Sequence, residues 1–240
     1  MNSYLFSFME IILCGMNYIL WALPLFLFLV LLHRITEIKD FIFRKLLHIT
    51  AFSGIVFLME KGEDFLLIGI CLIIGAFSTY LILSLAEHLP CYTGFFLEKK
   101  PFEVKRNLFG VFLISAILTF VFGGIFHQLH FAAVIIILWG FGDAFAALIG
   151  IPFGKHKINI HKKDKSLEGT LAFIVFGFAS AFIFVLLFAP ELFLLHTFIP
   201  FLCLLSVCGA LTEVFSKEAW DNIIVPFILG GICSIYLCLI

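Results

Sequence analysis

Residues 131–150, FAAVIIILWGFGDAFAALIG, carry a single ionisable side chain, Asp143, in an otherwise apolar run. An α-helix needs ~20 predominantly apolar residues to cross the ~30 Å hydrocarbon core of a bilayer. The run therefore predicts a membrane-spanning helix. Because a charged group at membrane depth is costly, we take Asp143 as a candidate functional residue.

The composition of the whole chain supports a membrane protein. The chain has 240 residues, of which 63% are hydrophobic and 13% are charged. A soluble domain has ~45–50% apolar and ~25% charged residues, so this much apolar surface requires the bilayer as part of its solvent. The net charge of −1 leaves no excess of basic charge, and we therefore expect no nucleic-acid partner.

Apolar runs of spanning length recur along the chain, and a shorter run at 46–60 contains His48 and Ser53. With this short run the sequence predicts eight spans, and without it seven. We predict an all-α polytopic transmembrane helix bundle that forms one domain, 1–240. The predicted spans are 11–33, 46–60, 64–87, 107–126, 131–150, 168–189, 192–215 and 222–240.

The basic residues predict the orientation, because cytoplasmic loops hold Lys and Arg in excess. With eight spans, 14 of the 15 Lys and Arg residues lie at odd-numbered loops, and only Lys61 lies at an even-numbered one. We therefore expect both termini outside and a basic cytoplasmic face, in a bacterial cytoplasmic membrane. The 14 residues are Arg34, Lys39, Arg44, Lys45, Lys99, Lys100, Lys105, Arg106, Lys155, Lys157, Lys162, Lys163, Lys165 and Lys217.

The cysteines and the N-terminal residues give two further expectations. No two of the seven cysteines form a Cys-x-x-Cys pair, and six lie inside apolar runs, so we expect small core residues there rather than metal ligands or disulfides. The first 32 residues contain no Lys or Arg, so we expect no cleavable signal peptide. The six cysteines are Cys14, Cys71, Cys203, Cys208, Cys233 and Cys238.

Small residues follow Asp143 at helical spacing. On a helix, Asp143 shares a face with Ala147, Gly150 and Gly154. Such a strip would give a metal–phosphate group room to approach the carboxylate. The structural alternative is that Gly140, Ala144 and Ala147 form a close helix–helix contact and that Asp143 only faces a basic partner.

A lysine-rich segment comes next, with Lys155 and Lys157 after Gly154 and Lys165 just before the following span. A helix N-terminus favours anions through its free N–H groups and its dipole, so the segment predicts a polyphosphate site. The alternative is a basic loop that meets anionic lipid headgroups, with Ser166 as the N-cap and Glu168 as a first-turn acid.

Two more basic clusters lie at the starts of spans. Arg44 and His48 are one turn apart, with Lys45 between them, and Lys105 and Arg106 precede the fourth span. Each cluster alone is typical of interfacial groups that extend toward water.

Acidic residues recur on the predicted cytoplasmic side. Asp143, Glu168, Glu213 and Asp221 could supply carboxylates for Mg²⁺, which prefers oxygen ligands, retained water and substrate phosphates. Asp221 could instead cap the last helix. The sequence contains no Gly-x-x-x-x-Gly-Lys-Ser/Thr loop, no Gly-x-Ser-x-Gly elbow and no His-Glu-x-x-His pair, which argues against soluble nucleotide-binding folds and against hydrolases of those types.

These residues together resemble the integral-membrane polyprenol kinase family, which includes dolichol kinase, phytol kinase and the CTP-dependent diacylglycerol kinase. The resemblance covers most of the chain, from about residue 44 to 226. The matching blocks are Arg44-Lys45-x-x-His48, Lys105-Arg106-x-x-x-Gly110, Gly142-Asp143-Ala144-x-Ala146 with Gly150 and Gly154-Lys155, Lys165-Ser166-x-Glu168-Gly169-Thr170, and Glu213 through Asp221-Asn222 to Pro226.

The resemblance implies phosphorylation of a lipid alcohol at the cytoplasmic face, with CTP or ATP as donor and Mg²⁺ as cofactor. Asp143 would be catalytic and would hold Mg²⁺ with Glu213 or Asp221, and either Glu168 or His48 would act on the acceptor hydroxyl. The acceptor and the oligomeric state are left open. The expected nucleotide-binding residues are Arg44, Lys45, Lys105, Arg106, Gly142, Gly154, Lys155, Lys157, Lys165, Ser166, Gly169 and Asn222.

Two alternatives remain at this point. One is a phosphatidate cytidylyltransferase, a class distantly similar to these kinases, although its signature around Pro-Gly-His-Gly-Gly is absent here. The other is a transporter or scaffold. A transporter should place polar groups through the bilayer midplane, which is nearly bare in this sequence.

Overall fold

The computed structural model describes residues 8–36, 38–62, 64–88, 92, 102–160, 163–216 and 220–240. Within these ranges, eight helices are long and apolar enough to cross a membrane, which confirms the predicted all-α polytopic fold. The helices are α1 (Phe8–Ile35), α2 (Asp40–Lys61), α3 (Phe65–Ala86), α4 (Glu103–Thr119), α5 (Leu129–Phe153), α6 (Leu167–Phe188), α7 (Phe198–Phe215) and α8 (Asp221–Leu239).

The run at 46–60 lies in a helix that is long and apolar enough to cross a membrane. Its helix, α2, begins at Asp40, six residues before the predicted start, so Arg44 and Lys45 belong to the helix rather than to the preceding loop. Long basic side chains can occupy the first turns of a spanning helix, because their stems pack on apolar surface while the charged ends reach polar groups.

Three short elements were not predicted. A π-helical turn, Phe120–Ile125, continues α4, and a 3₁₀ turn covers Pro190–Leu194. The polar segment that the sequence presents as a loop contains an antiparallel hairpin of β1 (Lys157–Ile160) and β2 (Lys163–Ser166). The strands could not be recognised in the sequence, because each is only four residues long and the lysines obscure any alternation of polar and apolar residues.

The described residues fall into two compact units. Unit 1 is formed from Met1–Glu37 and Ser53–Leu129, and unit 2 from Ile38–Phe52 and His130–Ile240. The first part of α2 thus belongs to unit 2 and its second part to unit 1. The prediction that 1–240 is a single domain stays a prediction.

In unit 1, α3 and α4 pack along each other. Ile68, Leu72 and Ala76 are fully buried on α3, and the Phe112 ring lies 3.2 Å from the position that a Cβ would take at Gly75. Asp64 caps α3, since its side chain accepts a hydrogen bond from the Leu66 N–H at 2.7 Å. This packing fixes the end of α3 against the start of α4.

In unit 2, α5 is the core helix. Residues 131–136 are all fully buried, and the Trp139 ring meets the Phe52 ring edge to face at 4.6 Å. The Phe173 side chain of α6 packs at Gly142 and also at Gly209 of α7. Because α5 is surrounded in this way, the Asp143 side chain is only 20% exposed.

Not all the cysteines are core residues. Cys14, Cys71 and Cys233 are buried, whereas Cys203 and Cys238 are exposed, so the prediction is wrong for these last two. The outer face of a spanning helix meets lipid, where a small apolar side chain is as well tolerated as in a core.

Candidate functional site

Asp143 is surrounded by positively charged and titratable groups from α2. Its Oδ2 atom lies 2.6 Å from Lys45 Nζ and 3.5 Å from His48 Nε2. The three side chains are 20–24% exposed. The structure therefore brings together three predicted site residues that are far apart in the sequence.

Packing on the same side of α2 holds His48 in place. The His48 ring lies 4.5 Å from the Phe52 ring, and Phe52 in turn packs on Trp139 of α5. His48, Phe52 and Lys45 recur at helical spacing, so one face of α2 presents all three to α5. The buried Nε2 atom of His48 makes no hydrogen bond.

A second ion pair joins the hairpin to α7. Lys165 on β2 pairs with Glu213, whose side chain is only 4% exposed. Lys165 also lies close enough to Asp143 to interact with it electrostatically. The Lys45–Asp143 and Lys165–Glu213 pairs, together with His48, are called the charged cluster below.

The hairpin separates two of the predicted phosphate-binding lysines. Lys157 is paired with Ser166 and Ile158 with Lys165. Residues directly opposite each other in an antiparallel pair share a face, and neighbours along a strand alternate, so Lys157 and Lys165 lie on opposite faces. Lys165 reaches Glu213 of the charged cluster, whereas Lys155 and Lys157 are exposed.

The space beside the small residues that follow Asp143 is filled by the start of α6. A Cβ at Gly150 would lie 3.0 Å from Ser166 Oγ, and one at Gly154 would lie 2.6 Å from the Ser166 Cβ. The predicted open strip is therefore wrong at these two positions, because the end of α5 needs glycines to admit the α6 N-terminus. Ser166 is the N-cap, as the alternative interpretation of this segment expected, and its Oγ accepts a hydrogen bond from the Gly169 N–H. Its predicted role in nucleotide binding stays a prediction.

Glu168 holds the base of the hairpin. The His156 N–H contacts both Glu168 carboxylate oxygens, at 3.2 and 3.3 Å, and His156 Nδ1 lies 2.8 Å from Glu168 Oε1. The Leu167 N–H donates to the His156 carbonyl oxygen at 2.9 Å. Glu168 thus joins the base of the hairpin to the start of α6.

The predicted carboxylates do not form a metal-ligand set. Among the described residues no group of three or more His, Cys, Asp or Glu side chains is placed to hold a metal ion. Asp143 and Glu213 each face a lysine instead. Asp221 is the first residue of α8 rather than its N-cap, and its Oδ1 accepts from the Asn222 N–H at 3.1 Å. The residues present do not fit a protein-built magnesium centre, and the metal role stays a prediction.

Lys105 and Arg106 belong to unit 1, where Lys105 has a carboxylate partner that the sequence did not indicate. Lys105 Nζ lies 2.5 Å from Glu87 Oε2. Sequence analysis missed Glu87 because it is the last residue of an apolar run. The sequence feature that could have indicated a role for Glu87 is an ionisable side chain at the end of a predicted span. His156 was missed because its role depends on the hairpin. The predicted loop residues Lys99, Lys100, Lys162 and Lys217 lie outside the described residues.

The fold and the charged cluster define a polytopic membrane protein in which lysines and a histidine lie against a half-buried carboxylate, Asp143, and a buried one, Glu213. Over 132 residues the chain is 30% identical to a phytol kinase from Synechocystis sp., a match that covers 52% of this chain and 53% of that protein. Over 89 residues it is 37% identical to a dolichol kinase from Schizosaccharomyces pombe, which covers 36% of this chain and 16% of that protein.

The chain spans about half the length of the phytol kinase in this match. Both relatives carry names from the family that the motif blocks resemble, so the predicted resemblance is confirmed. No family model and no solved structure matches the chain.

Proposed function

We propose that the chain is a membrane kinase that transfers the terminal phosphoryl group of a nucleoside triphosphate to the hydroxyl of a lipid alcohol. The observation that carries the proposal is the charged cluster, in which Lys45 and His48 lie against Asp143 and Lys165 pairs with Glu213. The similarity to a phytol kinase and a dolichol kinase supports the same chemistry. Neither name supports cytidylyl transfer.

The cluster suits phosphoryl transfer, which depends mainly on positioning and on charge neutralisation. Lys45 and Lys165 would neutralise phosphate oxygens as point charges. His48 Nε2, which has no hydrogen-bond partner, would accept the hydroxyl proton as the alcohol oxygen bonds to the terminal phosphorus. The bond from that phosphorus to the bridging oxygen breaks, and the nucleoside diphosphate leaves.

The donor we propose is CTP, with ATP as the alternative. Mg²⁺ would enter bound to the triphosphate, since it keeps waters and substrate phosphates as ligands and does not require a dedicated protein cage. The site would face the cytoplasm, as the distribution of Lys and Arg predicts. The hydrocarbon part of the acceptor would stay in the bilayer, and the polar groups of the protein would contact only its hydroxyl.

The test is turnover by purified protein in phospholipid nanodiscs. Phytol, a polyprenol, a dolichol and diacylglycerol are each supplied with CTP, ATP or UTP and Mg²⁺, and lipid phosphate is measured by mass spectrometry. We expect product with at least one pair, and loss of product in Asp143→Asn, which preserves volume but releases Lys45. Absence of lipid phosphate with every pair would refute the proposal.

A further inference from the structure

The hairpin that carries Lys165 is closed at its base by contacts between its two ends. His156 lies directly before β1, and its backbone N–H is 3.2 and 3.3 Å from the two carboxylate oxygens of Glu168, in the first turn of α6. The ring atom His156 Nδ1 lies 2.8 Å from Glu168 Oε1. These contacts between His156 and Glu168 are called the hairpin latch below. All of these residues belong to unit 2.

The hairpin latch lies where the strand ladder runs into α6. Lys157 is paired with Ser166, and the Leu167 N–H donates to the His156 carbonyl oxygen at 2.9 Å, so the ladder continues by one position in the same register. His156 therefore contributes its carbonyl oxygen to the ladder, and its N–H and ring to Glu168. The chain is thus held together at the point where it leaves α5 and the point where it enters α6.

A hairpin of this size needs support from outside its own strands. Each strand has four residues, and an isolated two-stranded hairpin is marginally stable in water. The end of β2 is anchored, because Ser166 is buried and caps α6. The hairpin latch provides the corresponding anchor for β1, because His156 leads directly into that strand.

The position of Lys165 depends on the closed hairpin. Lys165 is opposite Ile158 in the ladder, and its ammonium group reaches Glu213 of α7. Successive side chains of a strand point to opposite faces, so the extended backbone of β2 decides where Lys165 is directed. If β1 separates from β2, the backbone at Lys165 loses its ladder partner and that direction is no longer fixed.

We propose that His156 and Glu168 are positioning residues for the nucleotide, because the hairpin latch keeps the hairpin closed and so presents Lys165 to the phosphate oxygens. This inference rests on the proposed function for its ligand. It gives Glu168 a role that acts through Lys165, while contact with the acceptor hydroxyl stays with His48. Since only the closed hairpin presents Lys165, the apparent dissociation constant of the nucleotide rises as the closed fraction falls.

The test measures nucleotide binding and hairpin closure without phosphoryl transfer. Purified protein in phosphatidylcholine nanodiscs, without a lipid alcohol, is titrated with CTP or ATP and Mg²⁺ by calorimetry. Hydrogen exchange of the peptide that contains the Leu167 amide reports closure. Glu168→Ala removes the acceptor for both groups of His156, so we expect about tenfold weaker nucleotide binding and faster exchange at Leu167. Nucleotide should slow this exchange in the wild type, because binding and closure are reciprocally linked.

Conservative variants distinguish the hydrogen bonds from the charge. Glu168→Gln keeps an oxygen that accepts from the His156 N–H, so it should retain nucleotide affinity within about threefold of wild type. His156→Ala removes only the ring contact and should weaken binding less than Glu168→Ala does. Glu191→Ala is the matched control and should bind nucleotide normally. It also removes a His–Glu contact in unit 2, since His130 Nδ1 lies 3.4 Å from Glu191 Oε1.

A double-mutant cycle tests whether Glu168 acts through Lys165. Lys165→Met with Glu213→Gln removes the lysine without leaving an unpaired buried carboxylate, and it should itself weaken nucleotide binding. In that background Glu168→Ala should weaken binding no further. Additive losses would show that Glu168 acts independently of Lys165 and would overturn the inference.

Three further results would contradict the role of the hairpin latch. The first is faster exchange at Leu167 in Glu168→Ala with unchanged nucleotide affinity, which would make the latch purely structural. The second is unchanged exchange at Leu167, which would mean that the hairpin closes without the latch. The third is equal weakening by Glu168→Gln and Glu168→Ala, since the loss would then follow the charge rather than the hydrogen bonds.

The outcomes separate this inference from the kinase proposal. Nucleotide binding that depends on the hairpin latch, in a protein that forms no lipid phosphate, would support the latch and refute the kinase. Lipid phosphate formation with a nucleotide affinity that does not depend on the latch would do the reverse. Wild-type protein that binds neither CTP nor ATP would refute both.

Discussion

Lys45 Nζ lies 2.6 Å from Asp143 Oδ2, although the two residues are 98 positions apart in the chain. The sequence assigned Lys45 to phosphate and Asp143 to a metal ion. In the structure each is the counter-ion of the other, and Lys165 and Glu213 repeat the arrangement. The carboxylates of Asp143 and Glu213 thus position Lys45 and Lys165, the two lysines that we expect to bind phosphate.

His48 and Glu168 are the two candidates for the group that accepts the hydroxyl proton, and we propose His48, whose Nε2 atom has no hydrogen-bond partner. We expect His48→Gln to lower kcat by about 10²–10⁴-fold, the contribution of a general base, with little change in the KM for nucleotide. Glu168→Gln keeps an oxygen that can accept from His156, and should retain turnover within about tenfold of wild type. His130→Gln is the control. The reverse ranking of the two variants would assign the base to Glu168.

Removing only one partner of the Lys165–Glu213 pair should destabilise the protein more than removing both. Lys165→Met leaves a carboxylate that is only 4% exposed without its cation, and should destabilise the protein by about 3–5 kcal/mol. Lys165→Met combined with Glu213→Gln should recover most of this loss. Thermal unfolding in detergent measures it, with the exposed Lys155→Met as control. Additive losses in the double variant would mean that the two side chains do not act as a pair.

The end of α5 requires glycine at position 154. A Cβ there would lie 2.6 Å from the Ser166 Cβ, so Gly154→Ala should push the hairpin from α5 at a cost of about 1–3 kcal/mol, and turnover should fall with it. Gly231→Ala, where a Cβ meets nothing within 4 Å, should leave both unchanged. Equal behaviour of the two variants would contradict the close packing at Ser166.

The membrane orientation remains a prediction that labelling can check. In a cysteine-free variant, single cysteines at Arg106 and Lys157 should react with an impermeant maleimide only from the cytoplasmic side, because the basic loops face that side. Cysteines at His130 and Glu191 should react only from outside. Reaction of the Arg106 and Lys157 positions from opposite sides would exclude the eight-span orientation.

Much of the fold could be predicted because spanning helices are encoded locally. Apolar length identified seven spans directly, and the alternation of basic loops identified the short run at 46–60 that is now α2. The N-cap at Ser166, expected in the alternative interpretation of the lysine-rich segment, could also be predicted, since it depends on residues within one turn.

The partners of the site residues could not be predicted in the same way. The Lys45–Asp143 contact depends on how α2 packs on α5, which hydropathy does not specify. The glycines at positions 150 and 154 suggested open space beside the helix that carries Asp143, but the N-terminus of α6 occupies that space. Glu87 could be recognised only once α4 had brought Lys105 to it.

The kinase proposal is tested most directly by which phosphorus of the nucleotide reaches the lipid. Purified protein in nanodiscs is given a lipid alcohol or phosphatidate, Mg²⁺, and CTP labelled at either the α- or the γ-phosphate. A kinase lets the alcohol attack the terminal phosphorus, so we predict label from the γ position in a lipid phosphate, with CDP as the other product. Label from the α position in the lipid, with release of pyrophosphate, would contradict the account and identify cytidylyl transfer instead.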